Sequence, residues 1–312
     1  MTLYARGYRR YEDGFAATSL RFRPIFAEGF RDAIRTKAFR RFVSLFVLLT
    51  IVFCMLFYVN PVEVARRVAP GGAVAGAPST SELLRDTVAN FLGTLDWLSP
   101  LLVIFVGSGL VAEDLRTRAL PLYLVRTITP FDYWLGKFLI PAGVLALAVL
   151  LPAFGLVLFG VLLQPSDEVL SFAAGQGRLV LGILGAYAAS SVAYGSLVLL
   201  FSTITARRTP ALVFGAATIF LSPVVVGLAW NVKTHGGRVP EAAHGGVFEL
   251  IKALMLPGDV TSIFASVSGA RLEAGEGWGH APVWAATSVI GSLFVLSAAL
   301  VIRRARTVEV VS

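Results

Sequence analysis

Charge is scarce in this sequence. Asp, Glu, Lys and Arg make up 15% of its 312 residues, against about 25% in an average soluble domain. A surface facing water on all sides is therefore excluded. Cysteine is scarcer still. Cys54 stands alone, so no internal disulfide can form, and its place in an apolar run reads as an inert buried thiol. The three histidines, His235, His244 and His280, are widely spaced in one late stretch with no cysteine near them. A metal centre is not expected there. The phosphate-binding pattern G-x-x-x-x-G-K-[ST] is missing. Gly136-Lys137 has Phe131 where the first glycine would stand and Phe138 where the hydroxyl would follow. H-E-x-x-H, C-x-x-C and G-x-S-x-G are missing as well. No catalytic residues are expected, and the chain does not read as an enzyme.

What is present is hydrocarbon. Hydrophobic residues make up 56% of the chain and its mean hydropathy is +0.76. A membrane-crossing helix needs roughly 20 mostly apolar residues. Six segments satisfy that length: Phe42–Val59, Phe91–Ala112, Phe138–Leu163, Leu179–Thr205, Ala211–Trp230 and Pro282–Ile302. The expected fold class is an all-α polytopic membrane protein with six transmembrane helices. Pro141, Pro152 and Pro223 fall inside spans, where neighbouring helices can satisfy the freed carbonyls.

The net charge of +8 follows from topology. Residues 1–41, 113–137, 206–210 and 303–312 carry ten, four, two and three basic residues, nineteen of the 27. Cytoplasmic flanks are the Lys- and Arg-rich ones, so both termini are expected inside. A nucleic-acid role is then unnecessary. Residues 1–41 lack the apolar core of a cleavable signal. They form an N-terminal cytoplasmic segment, in which Phe22, Phe26, Phe30, Ala33, Ile34 and Ala38 line one side of an amphipathic helix over 22–42. Residues 42–312 form the six-helix domain, with outer loops 60–90 and 231–281. Short helices are expected in those loops at Ser81–Phe91 and Val247–Leu256. Trp97, Trp134, Trp230, Trp278 and Trp284 fall near helix ends, as interfacial rings do.

Ionisable residues at membrane depth mark ion and proton paths. The spans hold one, Asp96, near an outer end; their other polar groups are mostly hydroxyls. Ser108, Ser190 and Ser191 are the candidate lining of a translocation path. Gly185 and Ala189 form a small-xxx-small pair suited to close helix packing.

The most informative stretch is the cytoplasmic link 113–137. Leu120, Tyr123 and Leu124 share one face of a short helix. Thr129 is an N-cap, Pro130 fits the first helical position and Asp132 completes a capping box. Such a helix can lie on lipid or dock in a partner's groove. The link resembles that of the permeases of type 2 ABC transporters. Glu113 matches a Glu at the inner end of span two, Leu120 the Leu of a Gly-Thr-Leu-like step, and Leu122 and Leu124 a leucine pair. Arg126 matches the following Arg, and Gly136-Lys137 a Gly-Lys that opens span three. Arg118-Ala119 stands where Gly-Thr is usual, and Thr127 where Pro is usual. The amphipathic helix before span one, the six spans and Leu256-Pro257-Gly258-Asp259 in the last outer loop are also similar.

The resemblance implies the membrane subunit of an ATP-driven exporter in a bacterial cytoplasmic membrane. Two such subunits, alike or different, would pair with separate ABC ATPase subunits. ATP and Mg would be bound by the ATPase, and this chain would carry no cofactor. Glu113, Arg116, Arg118 and Arg126 would supply charge, and Leu120, Leu122 and Leu124 apolar contact, to the ATPase. A component doing mechanical or regulatory work in such a complex is the alternative; an integral membrane enzyme would need converging catalytic groups, and the sequence offers none.

Overall fold

The computed structural model describes residues 20–60, 62, 64, 78–119, 128–205, 207–235, 249–250, 252–270 and 281–309. Among them there are helices and no strands. Among the described residues six helical stretches are long and apolar enough to cross a membrane: Lys37–Tyr58, Thr80–Arg116, Pro130–Leu162, Gly177–Thr205, Arg208–Leu228 and Val283–Arg306. The protein is an all-α, multi-pass membrane protein.

The amphipathic stretch before span one is two helices. Helix α1 covers Arg23–Arg35 and α2 covers Lys37–Tyr58. Thr36 divides them. Its extended backbone ends α1, and its hydroxyl donates to the Ala33 carbonyl (2.8 Å) and accepts from the Phe39 N–H (3.2 Å). A threonine with that geometry is an N-cap, so α2 can leave at a new angle.

Helix α3, Thr80–Gly107, opens with a capping box between Ser79 and Glu82. The outer helix expected at 81–91 is therefore the first part of α3 itself. A short helix α4, Ala112–Arg116, follows. Helix α5, Pro130–Leu145, starts with the Thr129–Asp132 capping box read from the sequence. It runs through a single π turn, Ala146–Leu150, into α6, Leu151–Leu162. Pro152 has no N–H to give the carbonyl four residues back, and widening to a π turn accommodates that gap.

After α7, Val169–Gly175, comes α8, Gly177–Thr205, and then α9, Arg208–His235. Residues 249, 250 and 252 are helical. A further helix, α10, Leu256–Ser268, follows them before α11, Val283–Glu309. Gly269 ends α10 at φ 73, in the left-handed region that glycine occupies without strain.

Helix α8 is the hub. It packs on α3, α5, α9, α10 and α11, and 67% of its most apolar stretch is buried, against 11% for α2. Its small residues explain the closeness. A Cβ on Gly182 would sit 2.8 Å from Ser268 Cβ, and one on Gly195 would sit 3.2 Å from Phe138 Cε2. Gly182 and Gly195 thus serve packing within the chain, whereas a Cβ on Gly185, the glycine of the small-xxx-small pair, would meet only Ile263 Cγ2 at 3.9 Å. Trp134 departs from the interfacial pattern. It is 3% exposed, stacked on Phe138 and edge-on to Phe294, so it is a core residue joining α5 to α11.

Candidate functional site

The link between spans two and three is built by side chains from three helices. Where α3 stops, the chain turns through 108–111 before α4. Such a break leaves backbone groups unpaired. Ser202 of α8 serves them. Its hydroxyl accepts from the N–H groups of Val111 (3.1 Å) and Ala112 (2.9 Å) and donates to the Ser108 carbonyl (3.1 Å). The C-terminal end of α3 is thereby fixed to the hub.

Helix α4 then presents Asp114. Lys137, from the second turn of α5, places its ammonium 2.7 Å from Asp114 Oδ2. The Tyr133 hydroxyl donates to the same oxygen at 2.7 Å, and the Lys137 ammonium lies 5.6 Å from the Tyr133 ring centroid. Both charged side chains are nearly buried, 13% and 11% exposed. A buried pair of this kind adds little net stability over an apolar pair, but breaking it by removing one partner is costly. Its effect is geometric: the chain leaving α3 and the chain entering α5 are held together across the link.

The preceding residue has a different reason. A Cβ on Gly136 would sit 2.9 Å from Ile25 Cβ and 3.1 Å from the Phe22 carbonyl oxygen. One on Gly143, two turns on, would sit 2.9 Å from Phe30 Cε2. Helix α1 therefore lies directly on the glycine face of α5. Gly136-Lys137 does two things at once: the glycine admits α1, and the lysine ties α5 to α4.

Glu113 and Arg116 form an exposed pair one turn apart, 49% and 65% exposed, and such pairs contribute little to stability. Arg118 is exposed with φ 54, a left-handed conformation uncommon outside glycine. It stands where the type 2 pattern has glycine, so the turn survives here without the residue that suits it. Leu120, Leu122, Leu124 and Arg126 lie outside the described residues.

Ser190 and Ser191 are buried on α8, 3% and 5% exposed. Ser108 is also buried, but it meets Ser202, twelve residues further along α8, a rise of ~18 Å. The structure therefore does not group Ser108 with Ser190 and Ser191. Asp114 and Tyr133 were not picked out from the sequence. The available signal was an acid beside the Glu113–Arg116 pair, left over as a partner for Lys137.

A second polar cluster lies between α3, α8 and α10. The Tyr194 hydroxyl donates to Asp96 Oδ1 at 2.6 Å, and the Thr261 hydroxyl lies 3.4 Å from Asp96 Oδ2. Asp259, on the first turn of α10, is 1% exposed, and neither of its carboxylate oxygens accepts a hydrogen bond. Burial pushes its carboxyl up to about 8. Among the described residues no group of three His, Cys, Asp or Glu is assembled.

A family model described as ABC-2 family transporter protein matches residues 78–240, just over half of the chain. The matched region runs from the start of α3 past the end of α9 and includes the whole of the 113–137 link. Among curated proteins none matches the chain.

Proposed function

The chain belongs to the ABC-2 family of transporter proteins, and from that premise we propose that it is the membrane subunit of an exporter driven by a separate ATPase. Family membership makes it a permease component of an ABC transporter and associates it with an ABC ATPase. The rest is our reading: the direction of transport, the coupling residues, a second permease subunit alike or different, and a bacterial cytoplasmic membrane with both termini inside. ATP and Mg are bound by the ATPase.

The observation that carries the reading is the Asp114–Lys137 pair. A coupling segment works only if a push on it moves the spans. A slack loop would absorb the displacement. Here the two ends of the link are tied to each other through Asp114, Tyr133 and Lys137, and the first end is also tied to α8 through Ser202. Closure of two ATPase subunits on ATP would press on residues 113–126. Glu113, Arg116, Arg118 and Arg126 supply charge to that contact, and Leu120, Leu122 and Leu124 fill its apolar cleft. The displacement then reaches α3, α5 and α8 together, and α1 follows α5 through the Gly136 contact. Ser190 and Ser191 are the hydroxyls that substrate meets once the face of α8 opens.

The test is purification of the full chain in mild detergent with identification of what accompanies it, followed by flux in sealed vesicles. A P-loop ATPase should co-purify, and flux should need ATP and Mg. Hydrolysis by a preparation free of any other protein would refute the reading, because this chain has no phosphate cradle.

A further inference from the structure

Asp96 and Asp259 are 3% and 1% exposed, and Thr261, two residues along α10 from Asp259, brings its hydroxyl to 3.4 Å from Asp96 Oδ2. Their surroundings are apolar: Leu92, Leu95, Val260 and Phe264 are all buried. Buried charges in proteins are paired or coordinate metal ions. Among the described residues no Lys, Arg or His pairs with either carboxylate. Asp96 has two hydroxyl neighbours, Tyr194 and Thr261. Asp259 has none, and both its oxygens are buried without a partner. Ser99 adds an independent sign. It lies one turn along α3 from Asp96 on the same face, it is 1% exposed, and its hydroxyl also has no partner. Unpartnered buried oxygens need an explanation, and an ion is one of the few available.

We propose that Asp96 and Asp259, with the hydroxyls of Thr261 and Ser99, bind one divalent hard cation of the Ca2+ type. The donor set is oxygen only, which suits Ca2+ or Mg2+ and excludes the softer metals that take nitrogen or sulfur. Two carboxylates match a double positive charge. A water could satisfy the free oxygens but would leave any charge on them, and protons would neutralise the carboxyls but leave acceptor oxygens of Asp259 without a donor. Ca2+ tolerates irregular sets of six to eight oxygens completed by water, whereas Mg2+ demands near-ideal octahedral geometry. Two helices, α3 and α10, giving unequal groups fit the former. The ion would bolt α10, which is not itself a span, to α3, and α8 is joined to the site through the Tyr194–Asp96 hydrogen bond. This site stands apart from the 113–137 link, and its test uses no ATPase.

The purified full chain in detergent, first stripped with EDTA, is titrated with CaCl2, MgCl2 and, as an ionic-strength control, NaCl. Thermal unfolding and equilibrium dialysis with radioactive calcium are the readouts. A saturable rise in Tm with CaCl2 is expected, exceeding that with MgCl2, with one calcium bound per chain. Asp259→Asn should weaken calcium binding at least about tenfold, and in EDTA at a pH above 8, where the buried carboxyl is ionised, it should unfold at a higher temperature than the wild type, since it removes an uncompensated charge. If Asp96→Asn fails to fold, Ser99→Ala with Asp259→Asn supplies the comparison. Absence of any saturable response to either divalent ion overturns the proposal. So does a calcium response that survives unchanged in Asp259→Asn. A Tm that rises on acidification in EDTA while ignoring both cations makes the site a proton holder and equally overturns it.

Discussion

The ammonium of Lys137 lies 2.7 Å from Asp114 Oδ2, and this contact joins the end of one spanning stretch to the start of the next. With both groups nearly buried, removing one leaves the other charged and poorly solvated. Lys137→Met should destabilise the chain by about 3 kcal/mol. The double change Asp114→Asn with Lys137→Met should recover much of that loss, because neither residue is then a buried charge. Denaturant unfolding of the four proteins in detergent gives the coupling energy directly. A loss in the double variant equal to the sum of the two single losses would mean that the two side chains do not act as a pair.

Arg118 offers a gain rather than a loss. Its φ of 54 costs an L-residue roughly 1–2 kcal/mol, while glycine adopts it freely. Arg118→Gly should therefore stabilise the turn after α4 by about 1 kcal/mol, less whatever glycine loses in unfolded-state entropy. Arg118→Val should cost a comparable amount, since a β-branched side chain is a worse fit there. The order Gly above Arg above Val in thermal unfolding is the expected result. Should Arg118 contact the ATPase as proposed, Arg118→Gly would stabilise the isolated chain and still weaken the complex.

Gly136 and Gly155 sit on the same spanning stretch and should answer differently to the same change. Alanine at 136 brings its methyl within 2.9 Å of Ile25 Cβ and 3.1 Å of the Phe22 carbonyl, whereas alanine at 155 meets nothing within 4 Å. Gly136→Ala should cost about 1–2 kcal/mol through overpacking. Gly155→Ala should be neutral or slightly stabilising, since alanine is the better helix former. Limited proteolysis after the arginines of α1 should separate them: Gly136→Ala should loosen α1 and speed cleavage, and Gly155→Ala should not.

The six spans were legible because lipid leaves the sequence little freedom: roughly 20 apolar residues must run together. The Thr129–Asp132 capping box was legible because its bonds are local. Gly136-Lys137 could be seen as a pattern but not explained. The reasons for it, Ile25 and Asp114, are distant in the chain and arrive only with folding. The break at Thr36 was hidden because the apolar face continues across it in both helices. Helix α10 was missed for a different reason. Pro257-Gly258 reads as loop, yet Pro in the first turn is also how helices begin. Asp96 stood out as the lone acid of the spans. Its partners Tyr194 and Thr261 lie 98 and 165 residues away, beyond any local pattern.

Leu122 and Leu124 carry the sharpest functional prediction. They are leucines in a link between two spans, close to arginines in sequence. Burying one leucine is worth roughly 1.5–3 kcal/mol, so they should have a partner, and lipid and an ATPase cleft are the two on offer. Replacing both with Asp separates these. The substitutions fall outside the spanning stretches, and the fixtures that hold the ends of the link, Ser202 and the Asp114–Lys137 pair, are untouched. Folding and insertion should survive, as checked by expression and thermal unfolding of the purified variant. If the ATPase holds this segment, the variant should reach the membrane yet lose the co-purifying ATPase and its stimulated hydrolysis. If lipid holds it, the ATPase should remain bound with activity close to wild type. That second result, at normal expression, would remove the coupling role proposed for residues 113–126. The family assignment would stand, since it rests on the whole of residues 78–240, and the contact with the ATPase would have to be sought on another part of the same face.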